Sequence, residues 1–121
     1  MPGSLLDTSV WVAAVFSRHP HHALAQQELA TATPRAPAAF CRATQQSFLR
    51  LITTPHILRA YDAEAMTNRA AWAAFELFRS QSSITLRDEP AGTVALGSRL
   101  AAHDTASPNV WMDAYLAAFA I

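Results

Sequence analysis

The sequence predicts an α/β fold, a short parallel sheet flanked by helices. Three observations predict it. Short apolar runs at 4–7, 36–40 and 82–86 read as strands. Segments with apolar residues at helical spacing separate these runs. A lone carboxylate, Asp7, ends the first run, and open parallel sheets bind ligands at the carboxyl ends of their strands. Strands alternating with helices imply parallel pairing with both faces of the sheet covered.

The first strand covers 4–7, and the apolar segment 9–17 reads as a helix that stops at the turn-like Ser17-Arg18-His19-Pro20. A second helix covers 20–32, with Leu24 and Leu29 inward and Gln26, Gln27 and Glu28 outward. Thr33-Pro34-Arg35-Ala36-Pro37 breaks it, and a short strand follows near 36–40. Cys41 to Thr53 reads as a helix with Phe48, Leu49 and Ile52 at helical spacing, ended by Pro55. Asp62 is placed as N-cap of the next helix, with Ala65, Met66, Trp72, Phe75, Leu77 and Phe78 at its apolar positions. Ser82 to Leu86 alternates as a strand. Asp88-Glu89-Pro90 opens a helix running to His103, because acids suit a helix N-terminus. Asn109 to Ile121 is the last helix.

At 121 residues the chain is read as one domain over 1–121. Its formal net charge is zero, which excludes a polyelectrolyte mode of nucleic-acid binding. All of its basic residues are Arg. A lone cysteine, Cys41, cannot form an internal disulfide, which suits a reducing cytoplasm, and its apolar surroundings predict a buried small residue. No signal peptide is expected, and no run approaches the ~20 apolar residues of a membrane span.

Two acids at the edges of apolar elements are the candidates for chemistry. Asp7 ends a strand, where an uncompensated charge costs desolvation; it reads either as a metal ligand or as the N-cap of the helix after it. Asp113 is four residues from Asn109, so both share one helix face, and it reads either as a second ligand or as a solvated helix-face acid. Carboxylates that a fold gathers over one pocket hold a hard cation such as Mg²⁺. Arg50 reads as a phosphate-binding residue or as a solvated or ion-paired one. His19, His21 and His22 resemble a zinc run, but adjacent His21 and His22 diverge on a helix, so they read as polar residues at a helix start. Asp88, Glu89 and Asp104 are read as helix-start and loop acids.

Leu-Asp-Thr-Ser-Val at 6–10, His-Pro-His-His at 19–22, Phe-Leu-Arg-Leu-Ile-Thr-Thr-Pro at 48–55 and Asn-Val-Trp-Met-Asp-Ala-Tyr-Leu-Ala-Ala at 109–118 fall in a familiar order. With them the chain resembles PIN-domain ribonucleases, and within these the VapC-type toxins of bacterial toxin–antitoxin pairs. The resemblance implies a PIN-like α/β/α sandwich with a short parallel sheet. It implies a Mg²⁺- or Mn²⁺-dependent endoribonuclease that hydrolyses RNA phosphodiesters. It makes Asp7 and Asp113 the catalytic, metal-binding acids, with Ser9 supporting the first and Asn109 orienting the second. It also implies a VapB-like antitoxin, for which Trp11, Val12, Val15 and Phe16 are either a docking groove or core, and a homodimer.

Two departures accompany the resemblance. The family's Glu before the Phe-Leu-Arg segment is Ser47 here, with Thr44 and Gln45 nearby, so these three are candidates to support a metal-bound water. The family's chains also continue past this last helix into another strand and a further acid, so the C-terminal strand is expected to be absent and the domain short. These departures define the alternative, a degenerate PIN module that binds antitoxin or RNA without cutting.

Overall fold

The three apolar runs become three parallel strands. The computed structural model describes residues 4–102, 106 and 110–120, and the chain divides after Arg87 into two compact units. In the first unit the elements are β1 (Ser4–Leu5), α1 (Thr8–Val15), α2 (His22–Ala30), β2 (Ala38–Phe40), α3 (Arg42–Ile52), α4 (Pro55–Ala60), α5 (Asn68–Arg79) and β3 (Ile84–Leu86). Strand order is β1-β2-β3, with Ser4 opposite Ala38 and Ala38 opposite Ile84. Successive residues of a strand face opposite sides. Ala38, Ala39 and Phe40 are all buried, so the central strand is covered on both faces, as parallel sheets require.

The core gathers on Phe40. Trp11 stacks on it with ring centroids 3.8 Å apart, and Phe75 meets it edge-on at 5.1 Å. Phe48, Ile52 and Leu58 complete the buried cluster from α3 and α4.

Several boundaries differ from the sequence reading. Pro55 follows the end of α3 but also starts α4, because a missing N–H is harmless at the first helical position. Asp62 is not a cap. It takes a left-handed φ of 54° in the turn after α4, a conformation Asp tolerates better than most residues. Thr67 caps α5 instead, its hydroxyl accepting from Ala70 N at 3.1 Å, so Ala65 and Met66 precede the helix. The buried side of α5 carries Ala71 and Phe75, which leaves Trp72 and Leu77 47% and 70% exposed rather than in the core. Leu24 of α2 is likewise exposed, and Ala25 takes the inward position.

The second unit contains α6 (Thr93–Leu100) and α7 (Val110–Ala120). Asp88-Glu89-Pro90 stays outside α6, which starts after Gly92 at a φ of 84°. Gly97 on α6, Ala101 just after it, and Ala114 and Ala118 on α7 are buried. A Cβ on Gly97 would stand 3.5 Å from the Tyr115 Cα, so small residues set the close approach of these helices. The expected helix ends at His103, Asn109 and Ile121 fall outside the described residues, as does Asp104. Among the described residues no helix is long and apolar enough to cross a membrane.

Candidate functional site

Asp7 stands where β1 gives way to α1. The ladder ends with Leu6 N donating to Ala39 O at 3.2 Å, and Asp7 follows in extended conformation at the N-cap position. An N-cap carboxylate ordinarily accepts a backbone N–H of the first turn. Here the Asp7 main-chain carbonyl accepts from Val10 N at 3.1 Å, while its side chain makes no capping bond and is exposed. The carboxylate therefore stands at the carboxyl edge of the sheet unused by the helix beside it. Ser9 lies exposed in the first turn of α1.

The start of α3 is built differently. Cys41 N donates to Thr44 Oγ1 at 2.9 Å, and that hydroxyl lies 3.1 Å from the Cys41 carbonyl, so the fully buried Thr44 closes the first turn of the helix. Buried Gln45 accepts from Arg42 Nη1 at 2.9 Å. Thr44 thus fastens the start of α3 to the residue that follows β2, and Gln45 is tied within the first turn of the helix. Ser47 is half-buried three residues after Thr44, on the same helix face.

Asp113 belongs to the second unit, in the first turn of α7, where the helix dipole favours an acid. It is exposed, while Ala114 and Ala118 are buried. Asn109 lies outside the described residues.

Residues 4–121 match the family model for the PIN domain. The chain belongs to the PIN-domain family. Ribonuclease VapC41 of Mycobacterium tuberculosis, in strains CDC 1551 / Oshkosh and ATCC 25618 / H37Rv, is 45% identical over 118 residues, covering 97% of this chain and 81% of that protein. Among solved structures, Mycobacterium tuberculosis VapC20, described as a sarcin-ricin loop cleaving toxin, aligns with a TM-score of 0.60. That alignment covers 93% of this chain and 76% of the other at 22% identity, a likeness of fold.

Hard divalent cations take oxygen ligands, and Asp7 in the first unit and Asp113 in the second each present an exposed carboxylate. Among the described residues no three His, Cys, Asp or Glu side chains gather into one metal-binding group. His19, His21 and His22 serve the α1–α2 turn instead. A His22 ring nitrogen lies 2.8 Å from the Ala13 carbonyl. The His19 ring accepts from His21 N at 3.0 Å and packs on Tyr61 at 4.6 Å. Burial, then the neighbouring His21 and His22, hold the His19 imidazole below its ordinary pKa.

Two grooves of the first unit flank these elements. One, of about 370 Å³, runs between α1 and α2, lined by Leu6, Ser9, Val10, Leu24 and Glu28 among others. Trp11, Val12 and Phe16 are buried core residues and Val15 is half-buried, so the groove is presented by their neighbours. The other, of about 350 Å³, lies between α3 and α5 and contains Arg50, Asn68 and Trp72. Arg50 is exposed in the last turn of α3, about 12 Å along the axis from Arg42 at the helix start. Sequence reasoning missed Trp72 as a surface residue; the signal available was Ala71, whose small side chain takes the inward position beside it.

Proposed function

We propose that this PIN domain is a VapC-type endoribonuclease toxin that hydrolyses RNA phosphodiesters and is paired with a VapB-like antitoxin. The observation that carries the reading is the 45% identity to Ribonuclease VapC41 across 97% of this chain. The uncapped Asp7 carboxylate at the carboxyl edge of the sheet supports it. The family match spans both units, which supports one PIN domain over residues 1–121.

In this reading Asp7 and Asp113 are the catalytic acids and hold Mg²⁺ or Mn²⁺. Such a cation, when bound, lowers the pKa of water and offsets charge on phosphate oxygens. Ser9 and Asn109 orient the two carboxylates. Thr44 and Gln45 fix the start of α3, so that the Ser47 hydroxyl faces the site where the family carries a Glu. Arg50 contacts the RNA backbone. The preferred RNA is single-stranded or looped, since hydrolysis needs an accessible backbone. The apolar α1–α2 groove suits a segment of the antitoxin. A homodimer and a cytoplasmic location complete the reading.

The test is cleavage of single-stranded RNA with Mg²⁺ or Mn²⁺ against an EDTA control, for the wild type, Asp7→Asn and Asp113→Asn. Metal-dependent cleavage by the wild type, lost in both variants, is expected. A folded wild type that binds RNA or antitoxin and leaves RNA uncut overturns the enzyme and leaves a binding module.

A further inference from the structure

The α3–α5 groove combines features that the cleavage chemistry leaves unused. Because Ala71 and Phe75 form the buried side of α5, Trp72 is turned outward and stays 47% exposed. Its ring packs on Phe75, centroids 5.3 Å apart and tilted 41°, so the indole is braced from beneath by a core residue. Arg50 faces the same groove with no carboxylate partner among the described residues and no acid in the lining. Gln46 and Asn68 add amides that both donate and accept, and Thr53 adds a hydroxyl.

A braced aromatic face, an uncommitted guanidinium and two amides match one nucleotide of a single strand. Bases stack on exposed aromatic rings whatever their sequence, amides read base edges, and Arg takes phosphate in a bidentate manner. An apolar protein segment is the poorer match, because the charge and both amides would be buried without partners. The α1–α2 groove differs on these points: it carries Glu28 and no Arg.

We propose that the α3–α5 groove is a nucleotide-binding subsite for single-stranded RNA, with Trp72 stacking a base, Arg50 holding a phosphate, and Gln46 and Asn68 at the base edge. The proposal rests on the endoribonuclease reading and deepens it. Arg50 lies in the last turn of α3, about 12 Å along the helix axis from Arg42, which follows the carboxyl end of β2, so within this unit the subsite holds substrate away from the strand ends and acts on affinity.

The experiment titrates Asp7→Asn protein, alone and combined with Trp72→Ala, Trp72→Phe or Arg50→Gln, against a labelled single-stranded oligouridylate, read by fluorescence anisotropy. In parallel, KM and kcat are measured for Trp72→Ala with Asp7 intact. Trp72→Ala should weaken binding roughly tenfold and raise KM while leaving kcat unchanged. Trp72→Phe should retain most of the affinity, because it keeps an aromatic face. Arg50→Gln should reduce the salt slope of binding by about 0.7, the value for one phosphate of a single strand. Unchanged affinity and KM in Trp72→Ala, with a cleaving wild type, overturn the subsite and leave the nuclease standing. A Trp72-dependent loss of binding in a protein that never cuts supports the subsite while the nuclease reading falls. Loss of antitoxin binding with RNA binding intact overturns the subsite in favour of a protein interface.

Discussion

Trp11 on α1 is fully buried, whereas Trp111 on α7 is 63% exposed. The two helices are alike in composition: both are almost wholly apolar, neither has a basic residue in its last turn, and each carries an acid at or near its start. Their surroundings differ. α1 packs on α2 and α3, and its Trp11 ring lies flat on Phe40 of the central strand. Within its unit α7 packs on α6 through Gly97, Ala114 and Ala118, small residues that permit a close approach but cover a narrow stripe. Apolar composition therefore makes a helix fit to be buried, and the elements folded around it decide which of its faces are.

The sharpest test of this contrast is truncation of the two tryptophans. Trp11→Ala should destabilise the protein by about 3–5 kcal/mol, the usual cost of deleting a large aromatic from a core. Trp111→Ala should shift stability by less than about 1 kcal/mol. Chemical denaturation of both variants measures the difference, and equal losses would break the contrast. Trp11→Phe should cost less than Trp11→Ala by a wide margin, because it keeps the stack on Phe40 and removes the indole N–H, which is buried without a partner among the described residues.

The acids sharpen the comparison on the functional side. Asp7→Asn should lower RNA cleavage by more than roughly a hundredfold, since even groups that merely support metal ligands are worth about 10- to 100-fold. Its unfolding midpoint should hardly move, because the Asp7 side chain makes no capping bond. A variant that loses stability along with activity would return Asp7 to the role of a helix cap.

Smaller effects are expected at Gly97 and His19. Gly97→Ala should be neutral or stabilising by up to about 1 kcal/mol, because the added methyl meets ordinary contacts and helix propensity improves. His19 is held below its ordinary pKa of 6.5 in the folded chain, so the unfolded chain binds more protons as the pH falls below that value. Stability should then decline on acidification from about pH 6.5 through the lower folded pKa. His19→Gln should flatten that part of the profile, read as unfolding midpoints between neutral and mildly acidic pH.

The order of elements was legible in the residues, because apolar periodicity reports which face an element buries. The runs at 4–7, 36–40 and 82–86 contain the three strands, and helices fall between them. Boundaries were less legible where one residue type serves two purposes. Pro55 both follows one helix and opens another, and Asp62 adopts a left-handed turn where a cap was expected. Trp72 and Leu77 misled for a further reason: α5 buries the side carrying Ala71, and hydrophobicity alone does not reveal a choice of register. At the candidate site the sequence singled out Asp7, but whether its carboxylate capped α1 depended on backbone geometry a few ångströms away.

The residues alone announce a parallel α/β arrangement, strands alternating with helices, and the motifs of a PIN domain. These follow from local periodicity and short motifs, which are properties of neighbouring residues. Packing decided that Trp11 is enclosed and Trp111 is not, that Thr44 is spent on closing the start of α3, and that Trp72 and Arg50 share a groove. Each of those outcomes depends on which distant segments arrive beside a residue, and packing among elements far apart in the chain sets that.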